Sequence, residues 1–162
     1  MPFTPEQIEK VLENLRGEIM QVPSSVSAIK VDGERAYAKV RGGSEVKLDA
    51  RPISIHRFEI TSNPVSVGGF LDFDAVIECS SGTYIRALAR DLGNALGVGG
   101  HLTALRRTRV GGYKIQDAFQ IREPLQSLPL IKSSQAVIGQ FSIRRLSSQE
   151  TVDIRHGKRI AV

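Results

Sequence analysis

The chain has 162 residues, a formal net charge of +5, a sequence pI of about 9.7 and 41% hydrophobic residues. That suits one domain, or one domain with part of another, with enough apolar side chains to bury a core, and it excludes a chain disordered by composition. No apolar run approaches the ~18 residues of a spanning helix and no signal-peptide pattern opens the sequence, so a soluble cytoplasmic protein with no membrane partner is expected; the single cysteine, Cys79, excludes an internal disulfide.

Thr4-Pro5-Glu6-Gln7 has the marks of a helix start: a threonine cap, proline at the first helical position and glutamine in place for a capping box. Ile8, Val11, Leu12 and Leu15 form the apolar stripe, and Gly17 is the expected stop. From Gln21 a loop is expected to run into a short strand over about 25–31. Asp32-Gly33 signals a tight turn, and 34–40 suits a short helix ended by Gly42-Gly43.

Residues 45–49 and 53–60 are predicted strands. Ile53 and Ile55 share a parity that Phe58 and Ile60 break, which predicts a bulge near His56–Arg57. Asn63-Pro64 and Gly68-Gly69 mark a loop. From Phe70 to Cys79 the chain alternates, with Leu71, Phe73, Ala75, Ile77 and Cys79 on one face, as in a half-buried strand. That strand is expected to pair antiparallel with 53–61.

A Ser-Ser-Gly turn follows, then a predicted helix capped by Thr83, with Ile85, Leu88, Leu92 and Leu96 on one stripe and Gly97 as its stop. This places Tyr84 and Arg86 in a first helical turn just beyond a strand end, where free N–H groups favour anions. Two readings are open from the residues alone. Tyr84 is a half-buried packing ring and Arg86 a solvated charge, or the ring stacks on a nucleobase while the guanidinium holds a carboxylate or phosphate.

Gly97-Val-Gly-Gly100 is expected to be a flexible link, and 104–110 a strand with Leu105 and Arg106 on opposite faces. Pro124, Ser127 and Pro129 suggest a linker. Residues 133–141 are ambiguous between helix and strand. Ser147-Ser-Gln-Glu150 reads as the start of a capped helix that stops at Gly157. Arginines crowd into two stretches: Arg86, Arg90, Arg106, Arg107 and Arg109, then Arg144, Arg145, Arg155 and Arg159 with Lys158. Such clusters are either ordinary solvated faces or the footprint of a phosphate backbone. His56, His101 and His156 make no metal-ligand spacing with Cys79, so no metal is expected.

Two segments carry a resemblance. Ser80-Ser-Gly-Thr-Tyr-Ile-Arg-Ala-Leu-Ala-Arg-Asp-Leu-Gly followed by Leu105-Arg-Arg-Thr, and Gln21-Val-Pro-Ser-Ser-Val-Ser-Ala-Ile-Lys-Val-Asp-Gly-Glu-Arg-Ala-Tyr, are similar to the TruB family of bacterial tRNA pseudouridine synthases, in the family's order and at about its spacing. The resemblance runs from about Phe3 to about Phe119 and more weakly beyond. It implies isomerisation of uridine 55 in the T loop of tRNA, without cofactor or metal, by a base-flipping mechanism in which an aspartate attacks. By motif, Tyr84 and Arg86 are the catalytic pair: the tyrosine removes the carbon 5 proton and the arginine pairs with the aspartate. Leu105 corresponds to a leucine that packs on the flipped base; a plain core leucine is the alternative. The resemblance further implies an RNA-backbone contact by Lys30, with an exposed hairpin lysine as the alternative, and support of the pocket by Tyr37, with a plain packing ring as the alternative; Arg106 and Arg107 are substrate-binding candidates through their arginine cluster.

The family's nucleophile lies in a Gly-x-Leu-Asp-Pro-type motif, and its base-stacking ring in a Lys-x-Tyr segment; this sequence contains neither. Asp72, Asp74 and Asp91 are no credible substitutes. The expectation is therefore a truncated member: 1–125 as the later part of a catalytic domain, and 126–162 as a linker with the start of a small RNA-binding domain. The fold expected is α+β, a mixed and mainly antiparallel sheet flanked by helices, part of the pseudouridine synthase fold. The isolated chain is expected to be inactive, to have tRNA through its T arm as partner, and to be prone to self-association; the alternative is a non-catalytic RNA-binding module.

Overall fold

Thr4 caps helix α1 (Pro5–Glu13) as its sequence dictates. Its Oγ1 accepts the Gln7 N–H at 3.3 Å, and Gln7 Oε1 accepts the Thr4 N–H at 2.8 Å, so the capping box is closed. The computed structural model describes residues 3–24, 30–31, 34–35, 41–43, 48–121, 130–138 and 140–161. They form two compact units, Met1–Ala104 and Leu105–Val162.

In the first unit a three-stranded antiparallel sheet has the order β1 (Gly17–Gln21), β4 (Arg51–Ile60), β7 (Ala75–Cys79). Strand β1 is not anticipated by the sequence, in which Gly17 serves only as a helix stop. Helix α1 in fact ends at Glu13, and Gly17, at φ 79°, opens the strand. Gly-Glu-Ile-Met-Gln has little hydrophobic alternation, and pairing with β4, Ile19 opposite Ile53, is what makes it extended.

The bulge in β4 is where the parity break put it: the register with β7 shifts between Ile55 and Arg57. The extra residue returns Phe58 and Ile60 to the face of Ile53 and Ile55. Pro52 sits opposite Met20, in the part of β4 that β7 does not reach, so its missing N–H falls where one side of the strand is open.

The strand expected over 70–79 is two strands. β6 (Phe70–Asp72) turns back on β5 (Val65–Val67) through Gly68-Gly69, both with positive φ as a two-residue hairpin turn requires. β7 pairs with β4 instead. Between them the Asp74 N–H donates to Ser62 Oγ at 2.7 Å, and its carbonyl accepts the Thr61 N–H at 2.8 Å. Leu71, Phe73, Ile77 and Cys79 do pack on the core, and Ala75 is exposed. The short strands β2 (Lys30–Val31) and β3 (Glu34–Arg35) pair antiparallel, so Glu34 and Arg35 are extended rather than helical. The remainder of the helix expected over 34–40, the strand expected at 45–49 up to residue 47, and Tyr37 lie outside the described residues, and residues 48–49 are in no strand.

Helix α2 (Ile85–Ala95) brings Leu88 and Leu92 against Ile8, Leu12, Ile53, Ile55 and Phe58, one buried cluster shared by both helices and one face of β4. Arg16 ties α1 to the same strand: Nε and Nη2 donate to the Phe58 carbonyl at 3.0 and 2.6 Å, and Nη1 donates to Glu9 at 2.6 Å. The stretch after α2 is a packed turn rather than a flexible link. The Val98 and Gly99 N–H groups both donate to the Gly93 carbonyl at 3.0 Å, and a Cβ on Gly93 would lie 2.0 Å from the Gly99 carbonyl carbon.

In the second unit β8 (Arg109–Val110) and β9 (Tyr113–Lys114) form a hairpin about Gly111-Gly112, so the strand expected over 104–110 shrinks to its last two residues. Helix α3 (Ser133–Val137) accepts a bond from Tyr113 Oη at the Ala136 carbonyl, 2.7 Å. Helix α4 (Ser148–Arg155) has the expected cap: Ser147 Oγ accepts the Glu150 N–H, Glu150 accepts the Ser147 N–H, and Gly157 follows at φ 72°. The expected domain boundary at 125/126 falls outside the described residues. The class is α+β, and among the described residues every strand pairing is antiparallel.

Two outcomes follow from the packing. Alanine in a helix interior ordinarily outranks glycine by about 1 kcal/mol, yet Gly93→Ala should lower the thermal midpoint, because the added methyl meets backbone that cannot retreat. Urea melts against pH check a second. The Arg16 hydrogen bond holds the Glu9 carboxyl below its ordinary range, and the backbone N–H of the cap does the same for Glu150. Folded values below unfolded ones give stability that is present above the unfolded pKa of about 4.3. The urea midpoint should therefore fall as pH drops through the ordinary carboxylate range, and less so in Arg16→Met.

Candidate functional site

β1 and β7 both run antiparallel to β4, so their C-terminal ends leave the sheet at the same end, where β4 begins. Gln21 closes β1 there, and Ser80-Ser-Gly-Thr83 leaves β7 there. The topology thus places Gln21 and Ser80, where the two resembling stretches begin, at one end of the sheet.

The turn after β7 is held by its own hydroxyls. The Ser80 N–H donates to the Ser54 carbonyl at 2.8 Å and the Ser54 N–H donates to Ser80 Oγ at 2.9 Å, which carries the β4–β7 pairing past Cys79. Thr83 Oγ1 donates to the Ser80 carbonyl at 2.9 Å. Thr83 is therefore committed to the turn and is not the helix cap. Tyr84 is the capping residue, extended at φ −100° and ψ 103°, with its carbonyl accepting the Ala87 and Leu88 N–H groups at 3.0 and 3.1 Å. No side chain of its own caps the helix.

Gln21, 63 residues away, instead binds the backbone of the capping residue. Its Oε1 accepts the Tyr84 N–H at 2.9 Å, and its Nε2 donates to the Tyr84 carbonyl at 3.2 Å. On β1, Gln21 shares the parity of Ile19, which faces the core, and it is only 2% exposed. A buried carboxamide is costly unless both of its halves are paired; here one backbone unit pairs both. Beside it, Arg90 Nη2 donates to the Val22 carbonyl at 2.7 Å and its Nε to Asp91 Oδ1 at 2.8 Å. Sequence reasoning named Arg90 only within an arginine cluster and Gln21 only as the start of a resembling segment. For Gln21 the signal was the parity it shares with Gly17 and Ile19, visible only once β1 is known to be a strand.

Tyr84 is half-buried and Arg86 exposed on the first turn of α2. Among the described residues nothing hydrogen-bonds or ion-pairs with the Arg86 guanidinium. The nearby acids are engaged elsewhere or remote in the fold: Asp91 accepts from Arg90, Asp72 sits opposite Val65 in the β5–β6 hairpin, and Asp74 joins β6 to β7. Leu105 is 62% exposed and is no core leucine; Arg106 and Arg107 are exposed beside it, in irregular chain ahead of β8 in the second unit. Lys30 is placed through its backbone, opposite Arg35 in the β2–β3 pair. Tyr37 lies outside the described residues, so nothing places it near Tyr84. Among the described residues no group of histidine, cysteine and acidic side chains could hold a metal ion, and no helix is long and apolar enough to cross a membrane.

Basic charge is unevenly shared. Lysine and arginine outnumber acidic residues by more than two to one in the second unit, while acidic residues are in the majority in the first.

A fold that sets an exposed arginine and a half-buried tyrosine at a helix start has relatives. Residues 1–85 match the model of the TruB family pseudouridylate synthase N-terminal domain, and residues 86–136 match that of the tRNA pseudouridylate synthase B C-terminal domain. The chain belongs to the TruB family of pseudouridylate synthases. Proteins named tRNA pseudouridine synthase B from Paenarthrobacter aurescens (strain TC1) and Arthrobacter sp. (strain FB24) are 58% and 56% identical to it, over 91% and 95% of this chain. The alignments cover 48% and 51% of those proteins, so the chain spans about half the length of the curated relatives it matches. A chain of a solved structure described as a Cbf5-Nop10-Gar1 complex matches 70% of this chain and 28% of its own length, with 29% identity and a TM-score of 0.48.

If Arg90 anchors the segment after β1 to α2, Arg90→Met should speed amide exchange locally at 21–24 while shifting the global unfolding free energy by no more than ~1 kcal/mol, as befits a partly exposed pair.

Proposed function

We propose that the whole protein converts uridine 55 in the T loop of tRNA to pseudouridine, and that Tyr84 and Arg86 form one wall of the pocket that receives the flipped base. The observation that carries this reading is the pairing of a half-buried tyrosine with an exposed arginine that has no protein partner among the described residues, at the first turn of α2, in a TruB-family chain.

In this reading the nucleophilic aspartate comes from the part of the protein outside these 162 residues. Its carboxylate attacks the ribose carbon, the glycosidic bond to nitrogen 1 breaks, the base rotates, and carbon 5 bonds to the ribose carbon as the carboxylate leaves it. The carbon 5 proton leaves and nitrogen 1 gains one, so the reaction is a balanced isomerisation. A guanidinium fork suits the carboxylate and keeps it ionised, which is the role of Arg86. Tyr84 assists removal of the carbon 5 proton. Base flipping is the general way to bring such chemistry to a base edge. The exposure of Leu105 supports a contact with the flipped base, and Arg106, Arg107 and Lys30 supply phosphate contacts, with Tyr37 supporting the pocket.

The chain by itself is then an RNA-binding module without turnover. The basic excess of the second unit favours that alternative for the isolated polypeptide. Tritium release from labelled T-arm RNA decides between them. In the full-length protein, Tyr84→Phe and Arg86→Ala should each lower kcat by about a hundredfold or more, with T-arm affinity changed far less. The 162-residue chain should release no tritium, yet bind RNA with an affinity that falls steeply with salt. Equal losses of turnover and binding in Arg86→Ala would make it a phosphate anchor, and turnover by the isolated chain would remove the need for an outside aspartate.

A further inference from the structure

We infer that Gln21 is a positioning residue for the uridine site, setting where the Tyr84 ring and the first turn of α2 stand; this rests on the reading of Tyr84 and Arg86 given above. Tyr84 occupies the one position of α2 where the chain leaves the turn and enters the helix, and its own side chain makes no capping bond. Its backbone is instead gripped at both polar groups by one side chain. The N–H goes to Gln21 Oε1 at 2.9 Å and the carbonyl takes Nε2 at 3.2 Å. The same carbonyl takes the Ala87 and Leu88 N–H groups, so the clasp and the helix share an atom.

Of the side chains available at this length, glutamine alone meets the geometry. It offers one acceptor and one donor in a single plane, which matches the donor and acceptor of one peptide backbone residue. Methionine keeps the volume and loses both bonds. Glutamate keeps the acceptor, but sets a second oxygen against the Tyr84 carbonyl. The Gln21 carboxamide is buried, so losing either bond leaves a polar group short of a partner. A catalytic group displaced by about 1 Å can cost a hundredfold in rate. RNA affinity comes mostly from phosphate contacts elsewhere, so the loss should fall on kcat.

The experiment uses full-length protein and T-arm RNA, with variants Gln21→Met, Gln21→Glu, Tyr84→Phe and, as a control of equal burial away from the clasp, Leu12→Ala. Thermal midpoints are measured for each, and kinetics are run below the lowest of them. The expected result is a fall in kcat of about ten- to a hundredfold in both Gln21 variants, KM within about threefold, and near-native kcat in Leu12→Ala despite its lowered midpoint. Native kcat in folded Gln21 variants beside an impaired Tyr84→Phe overturns this inference alone. So does a loss no greater than that of Leu12→Ala, or failure of both Gln21 variants to fold, since either leaves Gln21 a purely structural role. Native kcat in Tyr84→Phe overturns the site reading itself.

Discussion

The carboxamide of Gln21 on the backbone of Tyr84 joins what the rest of the molecule is arranged to bring together. Removing an amide from water without pairing it is unfavourable, and a glutamine at the end of β1 on its core-facing parity has few choices of partner. The backbone of Tyr84 satisfies both halves at once. It can do so only because β1 and β7 point the same way on either side of β4 and release their chains at one end of the sheet. The Ser80–Ser54 and Thr83–Ser80 bonds then determine how the chain turns before Tyr84, and Arg90 holds the opposing segment at Val22.

The core lies on one face of β4. Leu88 and Leu92 of α2 and Ile8 and Leu12 of α1 cover Ile53, Ile55 and Phe58. The bulge between Ile55 and Arg57 is needed for this, since a regular strand would turn Phe58 to the other face. Gly93 and Gly100 let the chain after α2 fold back against the helix at a distance no side chain permits. Arg86 is thereby presented to solvent from a helix whose opposite stripe is fully committed to the core.

The two compact units differ in the side chains they carry. Sequence-independent attraction to phosphate needs only basic charge on a surface, and the second unit has that charge. Chemistry on a base needs a few groups held in place, and the pair proposed for it, Tyr84 and Arg86, is in the first unit. The TruB-family match spans both.

Much of this was legible in the sequence, and for local reasons. The capping boxes at Thr4 and Ser147, the apolar stripes of α1 and α2, the bulge in β4 and the pairing of β4 with β7 all follow from residues close together in the chain. So does the prominence of Tyr84 and Arg86, which their motif singles out. Other features depend on partners far away. β1 is a strand because β4 lies beside it, the 70–79 stretch breaks because its two halves find different neighbours, and Leu105 is exposed despite its apolar side chain. Thr83 resembles a cap until Ser80 claims its hydroxyl, and Gln21 is only the first residue of a resembling segment until the sheet sets it against Tyr84. Local pattern thus determined most of the elements, and the family resemblance named the proposed pair, Tyr84 and Arg86. Only the tertiary structure decided which side chain holds the backbone of Tyr84, because a hydrogen bond across 63 residues leaves no periodicity in the sequence to be read.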